Sequence, residues 1–170
     1  AYEIPKRDWS SDVCSSDLGD RYAVQVDRVD VGANFNPEIG FARRTDIHKT
    51  YGLLRFSPRP KRFRSIRKFT YQATASHLSN GAGRRDYQDR TAQFATEWQN
   101  SDKLTVDYTG TYEYLPAPFR IAPTVTVPIG GYDYDNLKTT FSLGQQRAAN
   151  ASFSVDYGTF YGGHKVAFGV

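Results

Sequence analysis

One stretch, Lys103 to Tyr114, constrains the fold more than any other part of the chain. Its polar residues alternate without a break with apolar residues, tyrosines and one glycine. A period of two places the two sets on opposite faces of a β-strand. At about 3.3 Å per residue the stretch spans about 40 Å, whereas strands of soluble proteins average about five or six residues. A strand that crosses a membrane within a β-barrel needs about nine to eleven residues, so this stretch has the length and pattern of such a strand.

The same alternation recurs along the chain and predicts an all-β fold of about eight antiparallel strands. The predicted strands are Asp20–Val31, Ile47–Ser57, Lys68–Leu78, Asp86–Gln99, Lys103–Tyr114, Gly131–Gly144, Ala151–Tyr157 and Val166–Val170. Residues 32–46 and 116–128 are predicted to be long loops, since Asn, Pro and Gly interrupt the pattern there. Longer and shorter connections tend to alternate, which is typical of antiparallel up-and-down transmembrane β-barrels. The chain has no Met and ends in KVAFGV, which has the pattern of a strand, so we expect an incomplete fragment of a barrel.

The N-terminal residues 1–18 are predicted to be unrelated to the domain formed by residues 19–170. Residues 8–18, DWSSDVCSSDL, match the translation of a sequencing-library adapter, and a Ser/Asp-rich linker is the alternative. This segment contains the only cysteine, Cys14, and three of the 18 acidic residues. Without it, 22 basic residues face 15 acidic ones, and the formal net charge rises from +4 to +7. The remaining chain then has no cysteine for disulfides or metal ligation.

The most basic run is RPKRFRSIRK, residues 59–68. Nucleic-acid binding would require these charges on one surface together with aromatic stacking partners. The alternative is a turn between strands whose charges are solvated or meet the phosphate groups of lipids. The surrounding strand pattern and the lack of a nucleic-acid-binding motif favour the turn, and no nucleic-acid partner is expected.

The loop FNPEIGFARRTD, residues 35–46, contains the candidate binding residues Glu38, Arg43, Arg44 and Asp46. Charges, aromatic residues and a turn-forming Asn-Pro pair cluster there, which suits a polar ligand such as a glycan. The alternative is a turn set by Asn-Pro and stabilised by ion pairs within the loop, which needs no ligand.

No catalytic or cofactor chemistry is indicated elsewhere. The three histidines lie in separate segments without metal-ligand spacing, and the serines lack a nucleophile-turn motif. Asp107 and Glu113 share a strand face, but six positions apart they are about 20 Å from each other, too far for a glycosidase pair. Carboxylates from neighbouring strands remain an open alternative. No catalytic residue, cofactor or metal is assigned.

The two faces of the predicted strands suit lipid on one side and water on the other. Leu104, Val106, Tyr108, Leu137, Phe141, Leu143, Phe153 and Val155 fit a lipid-facing surface. Lys103, Asp107, Glu113, Lys138 and Asp156 fit a water-filled lumen. Tyr22, Trp98, Tyr112 and Tyr114 fall near strand ends, where membrane barrels carry aromatic girdles.

From Asp20 to Val170 the chain resembles a bacterial outer-membrane-type β-barrel domain of unknown function. The resemblance rests on FNPEIGFARRTD (35–46), FSPRP (56–60), the run from Glu97 to Ile121, PIGGYDY (128–134) and GTFYGG (158–163). In that family the barrel follows a periplasmic domain similar to family-nine carbohydrate-binding modules. The resemblance implies a Gram-negative outer-membrane location, a covalently linked upstream module and further strands that would close the barrel.

These observations together predict an outer-membrane barrel fragment without catalysis of its own. Its expected role is binding or transport linked to carbohydrate, with outer-membrane lipid and a glycan or small polar solute as partners. A soluble β-sandwich or lectin-like carbohydrate-binding module is the first alternative. A hydrolase with a site assembled across strands is the second.

Overall fold

The computed structural model describes residues 9–17 (by their backbone), 21–36, 45–147 and 150–170. These residues form eleven β-strands, and no helix among them is long and apolar enough to cross a membrane. The strands are β1 (Trp9–Asp17), β2 (Tyr22–Val31), β3 (Ile47–Phe56), β4 (Ile66–Asn80), β5 (Arg85–Trp98), β6 (Lys103–Leu115), β7 (Phe119–Ala122), β8 (Val125–Val127), β9 (Gly130–Ser142), β10 (Ser152–Phe160) and β11 (Gly163–Gly169).

Nine of these strands form one antiparallel sheet in the order β1-β2-β3-β4-β5-β6-β9-β10-β11. The sheet confirms the predicted all-β, antiparallel fold, and eight of its strands lie within a few residues of the eight predicted ones. Each strand pairs with the next main-sheet strand along the chain, so the topology is up-and-down. In the described part of the chain β11 does not pair with β1 or β2, so the sheet is open and is not closed into a barrel.

Strand β1 contains most of the adapter-like segment and pairs with β2 from Trp9 opposite Val31 to Asp17 opposite Ala23. Backbone N–H and C=O groups at a sheet edge are a template for almost any extended segment. Pairing at the edge of β2 is therefore compatible with either origin of residues 8–18. The proposed division into residues 1–18 and 19–170 stays a prediction.

The predicted loop 116–128 contains a two-stranded hairpin, β7–β8, that the sequence analysis missed. Four prolines in this segment argued against strands. They lie outside the two short strands, at positions where no ladder N–H is needed. The Arg120 guanidinium bonds back to the carbonyl oxygens of Ala122 and Pro123 and thereby fixes the hairpin turn.

The short turn between β5 and β6 is tied to the turn between β9 and β10. Asp102, 7% exposed, accepts hydrogen bonds from the Gly144 N–H (2.8 Å) and from the Asn100 side chain (2.8 Å). It also forms an ion pair with Arg147 at 2.6 Å. The Gly144 N–H and the Arg147 charge hold the pKa of Asp102 below its ordinary value. One carboxylate therefore joins two turns that are about 42 residues apart in sequence.

The strand register places apolar residues in continuous rows on one face of the sheet, here called the apolar face. Directly paired residues share a face, so a row can be followed from strand to strand. The middle row consists of Val24, Leu54, Ala73, Ala92, Tyr108, Leu137, Tyr157 and Val166. The adjoining row begins with Tyr22, Phe56, Tyr71 and Phe94 and continues through Val106, Thr139, Val155 and Phe168.

The four aromatic residues of this second row form a stacked series, here called the aromatic row. The ring centroids of Tyr22 and Phe56 are 5.1 Å apart, those of Phe56 and Tyr71 are 6.3 Å apart, and those of Tyr71 and Phe94 are 5.3 Å apart. Tyr22 is the first residue of β2 and Phe56 is the last of β3, so the row crosses the sheet near one end.

The opposite face, here called the polar face, carries a matching polar row. It runs through Arg55, Gln72, Gln93, Asp107, Lys138 and Asp156. Along β2 and β10, most residues of the apolar face are exposed while most residues of the polar face are half-buried. A sheet that curls toward one side shelters the side chains on its inner face, so the polar face is concave and the apolar face is convex.

This arrangement is the reverse of a soluble protein, in which apolar side chains are sheltered. Large exposed apolar residues of the apolar face include Leu54 (59%), Tyr157 (54%) and Phe168 (79%). Among the described residues, the only buried apolar ones are Ala95, Leu115 and Val127. The sheet is thus stabilised by its backbone ladder and cross-strand pairs, and its apolar face is left uncovered.

Candidate functional site

The predicted binding loop contributes one described residue, Asp46. Glu38, Arg43 and Arg44 lie outside the described residues. Asp46 adopts a positive φ of 60°, its N–H donates to the Gly32 carbonyl (3.4 Å), and its own carbonyl accepts from the Gly81 N–H (2.9 Å). Its carboxylate occupies the space that a side chain at position 81 would need. Asp46 therefore anchors the end of the loop to the β4–β5 turn, and the ligand-binding role of the four residues stays a prediction.

A cluster of tyrosines around one carboxylate lies on the polar face, near the end of the sheet that carries this loop. Glu113 Oε2 accepts hydrogen bonds from the Tyr134 hydroxyl (3.1 Å) and the Tyr161 hydroxyl (2.9 Å). Tyr132 lies directly opposite Glu113 on β9, and its ring meets Tyr161 edge-on at 5.3 Å. We call Glu113, Tyr132, Tyr134, Phe160 and Tyr161 the tyrosine cluster.

The local backbone explains how Tyr161 reaches this cluster. Tyr161 and Gly162 form the two-residue turn between β10 and β11, and both have positive φ values, 44° and 81°. Two positive φ values favour the tight hairpin turns that match strand twist, at a cost for a residue with a side chain. The turn brings the Tyr161 ring to 4.5 Å from Phe160 and 5.9 Å from Tyr134.

The acid–base state of the cluster follows from its surroundings. Burial, together with the hydrogen bond to Glu113, raises the pKa of Tyr161 to about 12. The phenol therefore remains a hydrogen-bond donor at neutral pH, and Glu113 acts as the acceptor. This geometry suits the orientation of polar ligands by hydroxyl, carboxylate and aromatic surfaces.

The polar face also carries charges in the middle of the strands. Asp107 and Lys138 are directly opposite each other on β6 and β9, and Asp107 accepts a hydrogen bond from Gln93 (2.6 Å). Asp156 pairs with Lys165 at 3.2 Å. Among the described side chains, four buried polar atoms have no hydrogen-bond partner within the protein, and all four belong to residues of this face. They are Asp27 Oδ1, Arg55 Nε, Asn136 Oδ1 and Asp156 Oδ1.

Unpaired buried polar atoms are costly unless water reaches them. Their concentration on the concave side therefore favours a wet interior there. The described residues contain no group of three or more His, Cys, Asp or Glu side chains arranged to hold a metal ion.

The residues predicted for an aromatic girdle lie at strand ends on the apolar face. Trp98, the last residue of β5, meets Phe141 edge-on at 6.2 Å. At the opposite end, Tyr112 and Tyr114 are covered by the guanidinium groups of Arg85 (3.5 Å) and Arg84 (4.1 Å). Such cation–π contacts hold each guanidinium group against the face of an aromatic ring.

The apolar face has a shallow hollow of about 690 Å³ between the aromatic row and Tyr108. Its floor is formed by the small side chains Ala73 and Ala92. The sequence analysis found neither this hollow nor the tyrosine cluster, since both depend on which strands are neighbours.

Comparisons with known proteins identify no family for this chain. No known family model, no curated protein sequence and no solved structure matches this chain. The resemblance to an outer-membrane barrel domain therefore stays an expectation that rests on the motifs quoted above.

Proposed function

We propose that this chain forms part of the wall of a bacterial outer-membrane β-barrel, with its apolar face in lipid and its polar face lining a water-filled interior. The observation that carries the proposal is the distribution of side chains between the two faces. Eight apolar residues form one uninterrupted row across eight strands, while the sheltered concave face is polar. Membrane barrels have this arrangement, with an apolar band outside and a polar lumen.

The dimensions of the apolar face support the same function. On the apolar face of β9, Leu137 lies between Asp135, two residues away, and Phe141, four residues away in the other direction. At about 3.3 Å per residue, Asp135 and Phe141 are about 20 Å apart along the strand, of the same order as the roughly 25 Å apolar band of such barrels. Strands β4, β5, β6 and β9 have 15, 14, 13 and 13 residues, enough to cross a bilayer at a tilt.

The role we propose is binding or passage of a polar solute, without catalysis by this domain. The tyrosine cluster offers aromatic surfaces beside a carboxylate at the end of the polar face. The resemblance to a barrel linked to a carbohydrate-binding-like module makes a glycan the first solute to test.

The orientation of the two faces can be tested with spin labels at adjacent positions. Leu137→Cys lies on the apolar face and Lys138→Cys lies on the polar face. Each is made in a Cys14→Ser background, because Cys14 is the only cysteine in the sequence. In vesicles, the label at position 137 should collide with oxygen dissolved in lipid, and the label at 138 with a water-soluble nickel chelate. Tyr157→Cys and Asp156→Cys provide the same comparison on β10.

Two outcomes would overturn the proposal. One is recovery of the full-length protein in the soluble fraction without detergent, with no heat-modifiable gel mobility. The other is that positions 137 and 157 are shielded from both reagents, as expected if a second sheet covers the apolar face in a soluble sandwich.

A further inference from the structure

The charges of this sheet are distributed unequally between its two ends. The end that carries the aromatic row comprises residues 21–23, 55–71, 94–105, 139–147 and 150–155, and we call it the basic end. Its described residues include ten Lys or Arg side chains and two carboxylates. The described residues of the opposite end, 27–36, 45–51, 76–90, 109–135 and 157–165, include seven cations and eight carboxylates.

Both carboxylates of the basic end are already paired. Glu97 binds Arg67 at 2.7 Å, and Asp102 binds Arg147 at 2.6 Å. The partners of these two carboxylates are Arg67 and Arg147, so neither carboxylate is an ion-pair partner of Lys61, Arg62 or Arg64. An excess of positive charge attracts anions, and most strongly where several cations are close together.

The cations are most concentrated in the turn between β3 and β4. Lys61, Arg62 and Arg64 are exposed, and Phe63 between them is 52% exposed. The Ser57 N–H donates to the Arg21 carbonyl (2.7 Å), and the Phe69 N–H donates to the Pro58 carbonyl (2.9 Å). These bonds hold the turn against the ends of its neighbouring strands.

The position of this turn relative to the apolar face points to lipid headgroups as its partner. The aromatic row includes Phe56, the last residue before this turn, and Tyr71 on the following strand. If the apolar face lies in acyl chains, cations just beyond its aromatic border are at the depth of the lipid headgroups. An exposed phenylalanine among cations also suits the boundary between headgroups and acyl chains.

The lengths of the connections indicate which end of the sheet would face each leaflet of the membrane. The two longest connections, 32–46 and 116–129, both lie at the end opposite the basic end. In outer-membrane barrels the longer loops are extracellular and the shorter turns are periplasmic. The basic end would then meet the periplasmic leaflet.

We propose that the β3–β4 turn, through Lys61, Arg62 and Arg64, binds the phosphate groups of anionic glycerophospholipids such as phosphatidylglycerol. This inference rests on the proposed membrane function and adds a lipid partner and a leaflet to it. Phosphate oxygens accept hydrogen bonds from the guanidinium and ammonium groups, and Phe63 enters the acyl-chain boundary.

The test compares two triple variants of the full-length protein in a neutral detergent. Lys61→Gln/Arg62→Gln/Arg64→Gln removes the charges of the turn. Arg28→Gln/Lys49→Gln/Arg84→Gln removes three exposed cations from the opposite end and serves as the matched control. The affinity for short-chain phosphatidylglycerol is measured by titration and by native mass spectrometry of lipid adducts. Phosphatidylcholine, lipid A and an oligonucleotide are the comparison ligands.

At about a fivefold contribution per surface cation, the turn variant should bind phosphatidylglycerol about 100-fold more weakly than the unmodified protein. The control variant should bind it as the unmodified protein does. Equal weakening in both variants, equal affinity for phosphatidylcholine, or tighter binding of lipid A or of the oligonucleotide would each overturn the proposal.

The outcome is independent of the test of the membrane function. The spin label at position 137 reports whether the apolar face is in lipid, and the titration reports headgroup recognition. A label that reaches lipid oxygen together with an unchanged affinity of the turn variant refutes the headgroup site alone. A label shielded from lipid refutes the proposed function, whatever the titration gives.

Discussion

Leu137→Arg is the substitution that best tests the assignment of the two faces by its energetic cost. Leu137 is in the middle row, about 7 Å along the strand from Asp135 and about 13 Å from Phe141 on the same face, so its side chain would lie inside the apolar band. An arginine costs about 2–4 kcal/mol at the midplane of a barrel and about 0–1 kcal/mol near its interfaces, so we expect about 1–3 kcal/mol at this depth. That cost corresponds to a roughly 5- to 160-fold smaller folding equilibrium constant in a bilayer.

The same substitution would have little effect if this surface faced water. Leu137 is 44% exposed, and a substitution at an exposed surface position usually changes stability by less than about 0.5 kcal/mol. Thr140→Arg, three residues along the same strand, places the arginine on the polar face and is the matched control. It should cost much less than Leu137→Arg, because water reaches that face.

The assay is reversible unfolding by denaturant in phospholipid vesicles, followed by tryptophan fluorescence and gel mobility. The free energy of unfolding of each variant is compared with that of the unmodified protein, and the slope with denaturant concentration shows whether both unfold by the same transition. If Leu137→Arg and Thr140→Arg change the free energy of unfolding by the same small amount, the reasoning from the two faces is refuted.

Three further outcomes test individual parts of the structure. Asp102→Asn should lower the melting temperature near neutral pH. Because the pKa of Asp102 is depressed in the folded protein, its stabilisation is present above the unfolded value of 3.8 and is lost as the pH falls through the folded value. The melting temperatures of the two proteins should therefore converge in strong acid. Gly144→Ala should destabilise the protein by about 1–3 kcal/mol, since the added Cβ would meet the Asn100 carbonyl oxygen. At Gly52 an added Cβ has no atom within 4 Å, so Gly52→Ala should be close to neutral in the same denaturant assay. Glu113→Gln should lower the pKa of Tyr161 from about 12 toward its ordinary value, because it removes the carboxylate that favours the neutral phenol. The pKa is measured by absorbance titration, with Tyr161→Phe identifying the signal of this tyrosine. A tyrosinate transition that Glu113→Gln leaves unchanged would contradict the contact.

The long strands were predictable because alternation is a local property of the sequence. The prediction of Lys103–Tyr114 as a strand differs from the observed β6 by a single residue. Every position in that stretch obeys the period of two, so no tertiary information was needed. The hairpin β7–β8 was missed because its strands are only four and three residues long and lie among prolines.

The tyrosine cluster could not be predicted because it depends on strand pairing. Glu113 and Tyr161 are 48 residues apart in sequence, and they meet because β6 pairs with β9 and β9 with β10. The available signal was the high frequency of tyrosine near strand ends, which predicted a girdle and gave no reason to place Tyr161 beside a carboxylate. The candidate site from the loop 35–46 stays a prediction, since three of its four residues lie outside the described part of the chain.

The β1–β2 pairing has a consequence for how such a sheet could ever become a barrel. One edge of a strand accepts one neighbour, and the outer edge of β2 is occupied by β1 through nine residue pairs. Any strand that closes the sheet onto β2 must therefore replace β1, which turns closure into a strand-exchange reaction. Its rate would be limited by the opening of the β1–β2 ladder rather than by encounter of the two edges. Removal of residues 1–18 would eliminate the competing strand and leave β2 available to a closing partner.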